Sequence, residues 1–137
     1  MSDTILIDTG PIVAYLDRAE RHHKWAREQF SRLSPPFLTC DAVIAEAWFL
    51  VSKTPQGTSQ LVQLLQRKIV TPLFHLDKEL QSVTELLLQY RNIKTSVADA
   101  CLVRMSELYS NSVVFTIDSD FRIYRKNKRQ VIPVLMP

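Results

Sequence analysis

Apolar positions along this chain follow two alternating rhythms. Compact runs of apolar and β-branched residues at Thr4–Ile7, Phe37–Cys40, Ile69–Leu73, Val113–Thr116 and Val131–Val134 read as short, buried strands. Between them, apolar residues return at spacings of three and four. Trp25, Ala26, Phe30 and Leu33 do so, as do Leu61, Leu64 and Leu65, and again Leu80, Val83, Leu87 and Tyr90. That periodicity predicts helices over Pro11–Leu16, His22–Leu33, Asp41–Val51, Ser59–Lys68, Asp77–Tyr90 and Ser96–Tyr109. Ser34-Pro35-Pro36, Thr54-Pro55-Gln56-Gly57 and Arg91-Asn92 supply the punctuation. Short strands alternating with helices predict an α/β fold, a three-layer α/β/α sandwich around a mostly parallel central sheet. No repeat or linker divides residues 1–137, so one domain is expected.

Composition narrows the picture modestly. With 46% hydrophobic and 23% charged residues the chain is globular rather than disordered. Only 2 glycines are present, which argues against a glycine-rich phosphate loop. No apolar run approaches the roughly 20 residues of a membrane-spanning helix, and no secretory signal opens the sequence. Cys40 and Cys101 form neither a CxxC pair nor a dense framework, and are expected to be buried, reduced thiols of a cytoplasmic protein. The net charge of +3 is too small to diagnose a partner. Its distribution is more telling. Arg122, Arg125, Lys126, Lys128 and Arg129 cluster beside Tyr124, and Arg21, Lys24, Arg27 and Arg32 form a second group. Each cluster fits either a solvated face or a footprint on a phosphate backbone.

Candidate chemistry begins at Asp8, a carboxylate at the exit of the apolar strand Ile5-Leu6-Ile7, where desolvation disfavours charge. In open parallel sheets ligands bind beyond the carboxyl ends of the strands, where the strand order reverses. Asp8 follows the first strand directly, and Asp118 follows Val113–Thr116 closely, so both belong on that edge. Glu46 sits in the apolar helix "AVIAEAWFLV" with Ala42, Val43, Phe49 and Leu50 at helical spacing, and is expected to be partly buried or to face a cleft. Asp99 completes a Ser96-Val97-Ala98-Asp99 capping box, which accounts for it structurally without preventing an oxygen from reaching a cleft. Asp118-Ser119-Asp120 suits a turn as well as a site. Two carboxylates about 4 Å apart repel by about 4 kcal/mol at an effective dielectric near 20. Several of them in one crevice therefore call for protonation or for a hard divalent cation with a preference for oxygen ligands.

Taken together, "LIDTGPIVAYLDRAERHHKWA", "AEAWFL", "SVADACLVRMSE" and "VVFTIDSDF" resemble, in order and over nearly the whole chain, the PIN-domain ribonuclease family, and in particular its small VapC-type toxins. The resemblance implies cleavage of single-stranded or structured RNA with Mg2+ or Mn2+ as cofactor. It places Asp8, Glu46, Asp99 and Asp118 at the catalytic acidic positions, with Asp8, Asp99, Asp118 and Asp120 around the metal. It also matches Thr9 and Thr116 to auxiliary hydroxyls, while Gly10 departs from members that carry Ser. Arg122 and Arg125 are the cations nearest this set in sequence and are the first candidates for RNA binding. A cognate antitoxin and a homodimer are the implied partners, and no membrane is. Trp25, Phe30, Trp48, Phe49 and Leu50 are candidates for such contacts or for the core.

The rivals are weaker. An aspartyl phosphatase needs a second Asp where Gly10 stands, a receiver domain needs an acidic pair before its Asp, and DxD alone is common. His22, His23 and His75 are too dispersed for a zinc site. A non-catalytic PIN-like module that binds RNA or protein is the serious alternative. Such a retired site should have lost acidic members, and none is missing.

Overall fold

The structure, a computed structural model, describes residues 3–137. In chain order its elements are β1 (Thr4–Ile7), α1 (Thr9–Leu16), α2 (His23–Arg32), β2 (Phe37–Thr39), α3 (Asp41–Val51), α4 (Gly57–Gln66), β3 (Val70–Pro72), α5 (Leu76–Gln89), α6 (Val97–Leu108), β4 (Ser112–Phe115), β5 (Arg125–Lys126), β6 (Gln130–Val131) and β7 (Val134–Leu135). Short 3-10 turns span Arg91–Ile93 and Ser119–Arg122.

Leu6 and Ile7 are fully buried, as residues of a central parallel strand covered on both faces must be. β1 pairs in parallel with β2 on one side and β4 on the other, and the five-stranded order is β3-β2-β1-β4-β7. Every pairing in this sheet is parallel, and the helices α1 to α6 flank it as the α/β/α sandwich that the alternating rhythms predict. One face is filled by aromatic rings. Phe30 of α2 meets Phe37 edge-on at 5.1 Å, and Trp25 meets Phe115 at 5.4 Å, so α2 docks by two side chains spaced five apart. On α6, Cys101, Leu102 and Met105 are buried.

Helix boundaries fall within two residues of those predicted, and the earlier starts of α1 and α4 have local structural counterparts. α1 begins at Thr9 because the Asp8 carboxylate caps it, accepting from the Thr9 amide at 2.8 Å. Pro11 is tolerated in that first turn, where amides have no helical partner anyway. α4 begins at Gly57, where a Cβ would collide with the Val51 carbonyl and the Thr54 hydroxyl.

One predicted strand is corrected. Val131–Val134 is not continuous: Val131 ends β6, which forms an antiparallel ribbon with β5, and Val134 begins β7 at the sheet edge. Pro133 divides them, lacking an amide proton for a ladder, while its carbonyl accepts from Val114 at 2.9 Å. Trp25 and Phe30 pack on the core, whereas Trp48 and Phe49 are 47% and 63% exposed. Both cysteines are buried and free.

Candidate active site

The chain leaves β1 toward β2 and β3, then returns to lay β4 on the opposite side of β1. The switch in strand order thus lies between β1 and β4, and their carboxyl ends open a crevice there. A cleft of about 480 Å³ occupies this position. Asp8, Glu46, Asp99, Asp118 and Asp120 all line it, together with Glu20 and, among the described residues, a single cation, Lys94. Folding therefore gathers every acidic residue singled out in the sequence.

Each side chain is held differently. Asp8 is buried, and its Oδ1 caps α1 while its Oδ2 accepts from the Thr116 hydroxyl at 2.7 Å. The same Thr116 oxygen accepts from the Asp118 amide at 3.0 Å, so one hydroxyl links the first and last acidic positions. Asp118 in turn caps the following 3-10 turn, its Oδ1 accepting from the Asp120 amide at 2.9 Å. Asp99 lies in the first turn of α6, where the Ser96 hydroxyl accepts from its amide at 3.0 Å, the cap expected from the sequence. Its Oδ2 accepts from the Tyr124 hydroxyl at 2.8 Å. Glu46 is exposed at the mouth of the cleft. Its apolar neighbours do not bury it, because α3 presents Ala45, Trp48 and Phe49 to solvent as well.

The electrostatics follow from this crowding. Burial pushes Asp8 up to about 7, against the lowering effect of the hydrogen bonds from Thr116 and Thr9, and the charges of Asp99 and Asp118 raise it further. Burial likewise raises Asp99, opposed by the Tyr124 hydroxyl and reinforced by Asp118 and Glu46. Burial also raises the Tyr124 phenol, which keeps it a donor.

The donor set suits a hard cation. It is all oxygen, and a bound dication would offset both the burial and the smaller mutual repulsion that raise Asp8 and Asp99. A second observation agrees: the buried hydroxyl of Thr9, a residue of the cleft lining, has no hydrogen-bond partner among the described residues, and buried polar groups ordinarily have one. As the side chains stand, no three Asp, Glu, His or Cys residues among the described residues converge into a ligand cluster.

A family model for the PIN domain matches residues 5–127. The chain belongs to the PIN domain family. A curated relative, Ribonuclease VapC26 of Mycobacterium tuberculosis, is 24% identical to this PIN domain over 118 residues, covering 83% of this chain and 86% of the relative. Among solved structures, Mycobacterium tuberculosis VapC20, described as a toxin that cleaves the sarcin-ricin loop, superposes with a TM-score of 0.77 at 19% identity. That match covers 95% of this chain and 100% of VapC20, and it shows a shared fold.

The basic residues of this PIN domain sit differently from the acids. Neither Arg122 nor Arg125 lines the cleft. Arg122 is exposed and donates to the Met136 sulfur at 3.4 Å. The Arg125 guanidinium donates to the carbonyls of Arg122, Ile123 and Tyr124, closing the preceding turn. Sequence reasoning passed over Lys94, Glu20 and Tyr124 as parts of the site. Lys94 holds a left-handed φ of 55° just before the Ser96 cap, so the Arg91-Asn92 breaker was its one available signal.

Proposed function

We propose that this PIN domain is a magnesium- or manganese-dependent endoribonuclease that hydrolyses RNA phosphodiester bonds, and that it serves as the toxin of a toxin–antitoxin pair. The observation that carries the reading is that Asp8, Glu46, Asp99, Asp118 and Asp120, drawn from distant segments, line one cleft of a PIN-family chain. The ribonuclease name of VapC26 supports the substrate class, and the description of VapC20 as a toxin that cleaves the sarcin-ricin loop agrees with it.

In this reading Asp8, Asp99, Asp118 and Asp120 hold the ion. Bound there, it would supply an activated water near neutral pH and offset the charge that grows on the phosphate oxygens during in-line attack. The chain's own residues do the rest. Thr116 and the Thr9 amide fix the Asp8 carboxylate, so its orientation is set before substrate arrives. In this reading Glu46, exposed and lining the cleft, accepts a proton from the attacking water as general base. Lys94 brings a positive charge to the same cleft, where it can meet a phosphate oxygen. Arg122, on the neighbouring turn, grips the RNA backbone beyond the cleft.

A cognate antitoxin would block this cleft with a peptide bearing basic side chains, because acidic groups outnumber the lysine there. The exposed Trp48 and Phe49 offer apolar surface for such a partner or for a second copy of the chain.

The test is cleavage of single-stranded and structured RNA with Mg2+ or Mn2+, with and without chelator, by the wild-type protein and by Asp8→Asn. Cleavage that needs the ion and disappears in the variant is expected. RNA binding without cleavage under any of these conditions would replace this reading with the non-catalytic module.

A further inference from the structure

We infer that Tyr124 is a positioning residue for Asp99: its hydroxyl holds one carboxylate oxygen so that the other faces the cleft. The inference rests on the metal-dependent reading above and assigns a role to a residue outside the acidic set.

Tyr124 is fully buried although it carries a polar hydroxyl. A buried phenol needs a partner for that group, and Tyr124 spends it on a carboxylate in the cleft wall, 2.8 Å from Asp99 Oδ2. The ring has little freedom to turn away. Phe121 meets it edge-on at 5.1 Å and 88°, and Tyr90 meets it at 5.0 Å and 68°. The Tyr124 amide donates to the Asp120 carbonyl at 3.0 Å, so the hydroxyl is carried by the same turn that carries Asp118 and Asp120. One rigid turn after β4 thus presents two carboxylates and orients a third that belongs to α6. An aspartate's terminal torsion is broad and poorly fixed by its backbone, and a hydrogen bond from a locked donor removes that freedom. Outer hydrogen bonds of this kind orient metal-binding carboxylates, and losing one weakens metal affinity or activity about 10- to 100-fold.

Tyr90 provides an internal control. Its hydroxyl accepts from the Arg125 amide at 3.0 Å and touches no carboxylate among the described residues, although its ring packs on Tyr124.

The experiment measures Mn2+ affinity by water-proton relaxation on the intact protein without RNA, for wild type, Tyr124→Phe, Tyr90→Phe, Asp99→Asn and Asp99→Asn with Tyr124→Phe. Tyr124→Phe is expected to bind Mn2+ about 10-fold or more weakly. Tyr90→Phe should match wild type. In the Asp99→Asn background the Tyr124 substitution should cost little further, because its effect runs through Asp99. In cleavage assays Tyr124→Phe should lower kcat with KM for RNA unchanged. Wild-type Mn2+ affinity in Tyr124→Phe, or an equal loss with and without the Asp99 carboxylate, would overturn the inference alone. Absence of Mn2+ binding by the wild-type protein would overturn the functional reading and this inference with it. Should Tyr124→Phe fail to fold, the same additivity test on Tyr124→His decides the matter.

Discussion

The Thr116 hydroxyl donates to Asp8 Oδ2 at 2.7 Å, joining residues 108 positions apart across the ends of β4 and β1. That oxygen also accepts from the Asp118 amide, so it serves two acidic residues at the switch in strand order. Thr116→Val keeps the shape and removes both bonds. It should destabilise the fold by about 1–3 kcal/mol, since a buried carboxyl loses its donor and a backbone amide its acceptor. Urea denaturation of the two proteins at pH 7 measures this, and equal midpoints would show that water replaces the hydroxyl freely.

Asp8 gives the metal-free protein an unusual pH dependence. Its folded value of about 7 lies above the ordinary 3.8, so between those values the folded state holds a proton that the unfolded state has released. Stability linked to Asp8 is therefore complete below about pH 4 and is lost as pH rises through about 7. The raised Asp99 acts in the same sense. Chemical denaturation in chelator between pH 4.5 and 8 should show stability falling with pH, by an amount on the order of a few kcal/mol. Asp8→Asn should flatten that slope.

Asp8→Asn should also abolish RNA cleavage while folding normally. The amide oxygen can still cap Thr9, and the Thr116 hydroxyl can rotate to accept from the new amide nitrogen. With one negative charge fewer in the cleft, the variant without metal should be at least as stable as wild type at neutral pH. Circular dichroism with a thermal melt checks the fold, and an unfolded variant would show that the carboxylate is needed for structure.

Metal binding should restore at high pH what ionisation takes away. At a Mg2+ or Mn2+ concentration about 100 times its Kd the wild-type protein should gain about 2.7 kcal/mol. Asp8→Asn should gain little. Thermal melts across a metal titration test this, and an unchanged Tm for wild type would count against an ion in the cleft.

The three cations near the site should separate by assay. Lys94→Ala should raise KM for RNA, because Lys94 is the one cation among the described residues that lines the cleft. Arg122→Ala should flatten the salt dependence of RNA binding by about 0.7 for each phosphate that Arg122 neutralises. Arg125→Ala should chiefly lower stability, because its guanidinium closes a turn through three carbonyls. Identical salt slopes for wild type and Arg122→Ala would return Arg122 to an ordinary solvated surface.

By itself the amino-acid sequence determined the alternation of strands and helices, the Ser96 cap of α6 and the identity of the acidic residues. These are local properties. A period of two or 3.6 reports which positions avoid water, and a carboxylate amid apolar residues is conspicuous wherever it falls. Tertiary structure alone decided what meets what. The break of Val131–Val134 depended on Pro133 giving its carbonyl to Val114, and the exposure of Glu46 depended on α3 leaving Trp48 and Phe49 uncovered. The bond from Tyr124 to Asp99 spans 25 residues, and Lys94, which holds a left-handed backbone angle, lines the cleft. Apolar burial is non-directional, so a pattern of residues states how much each side chain avoids water but not which partner it meets. Partners were fixed only when the order of strands brought the ends of β1 and β4 together.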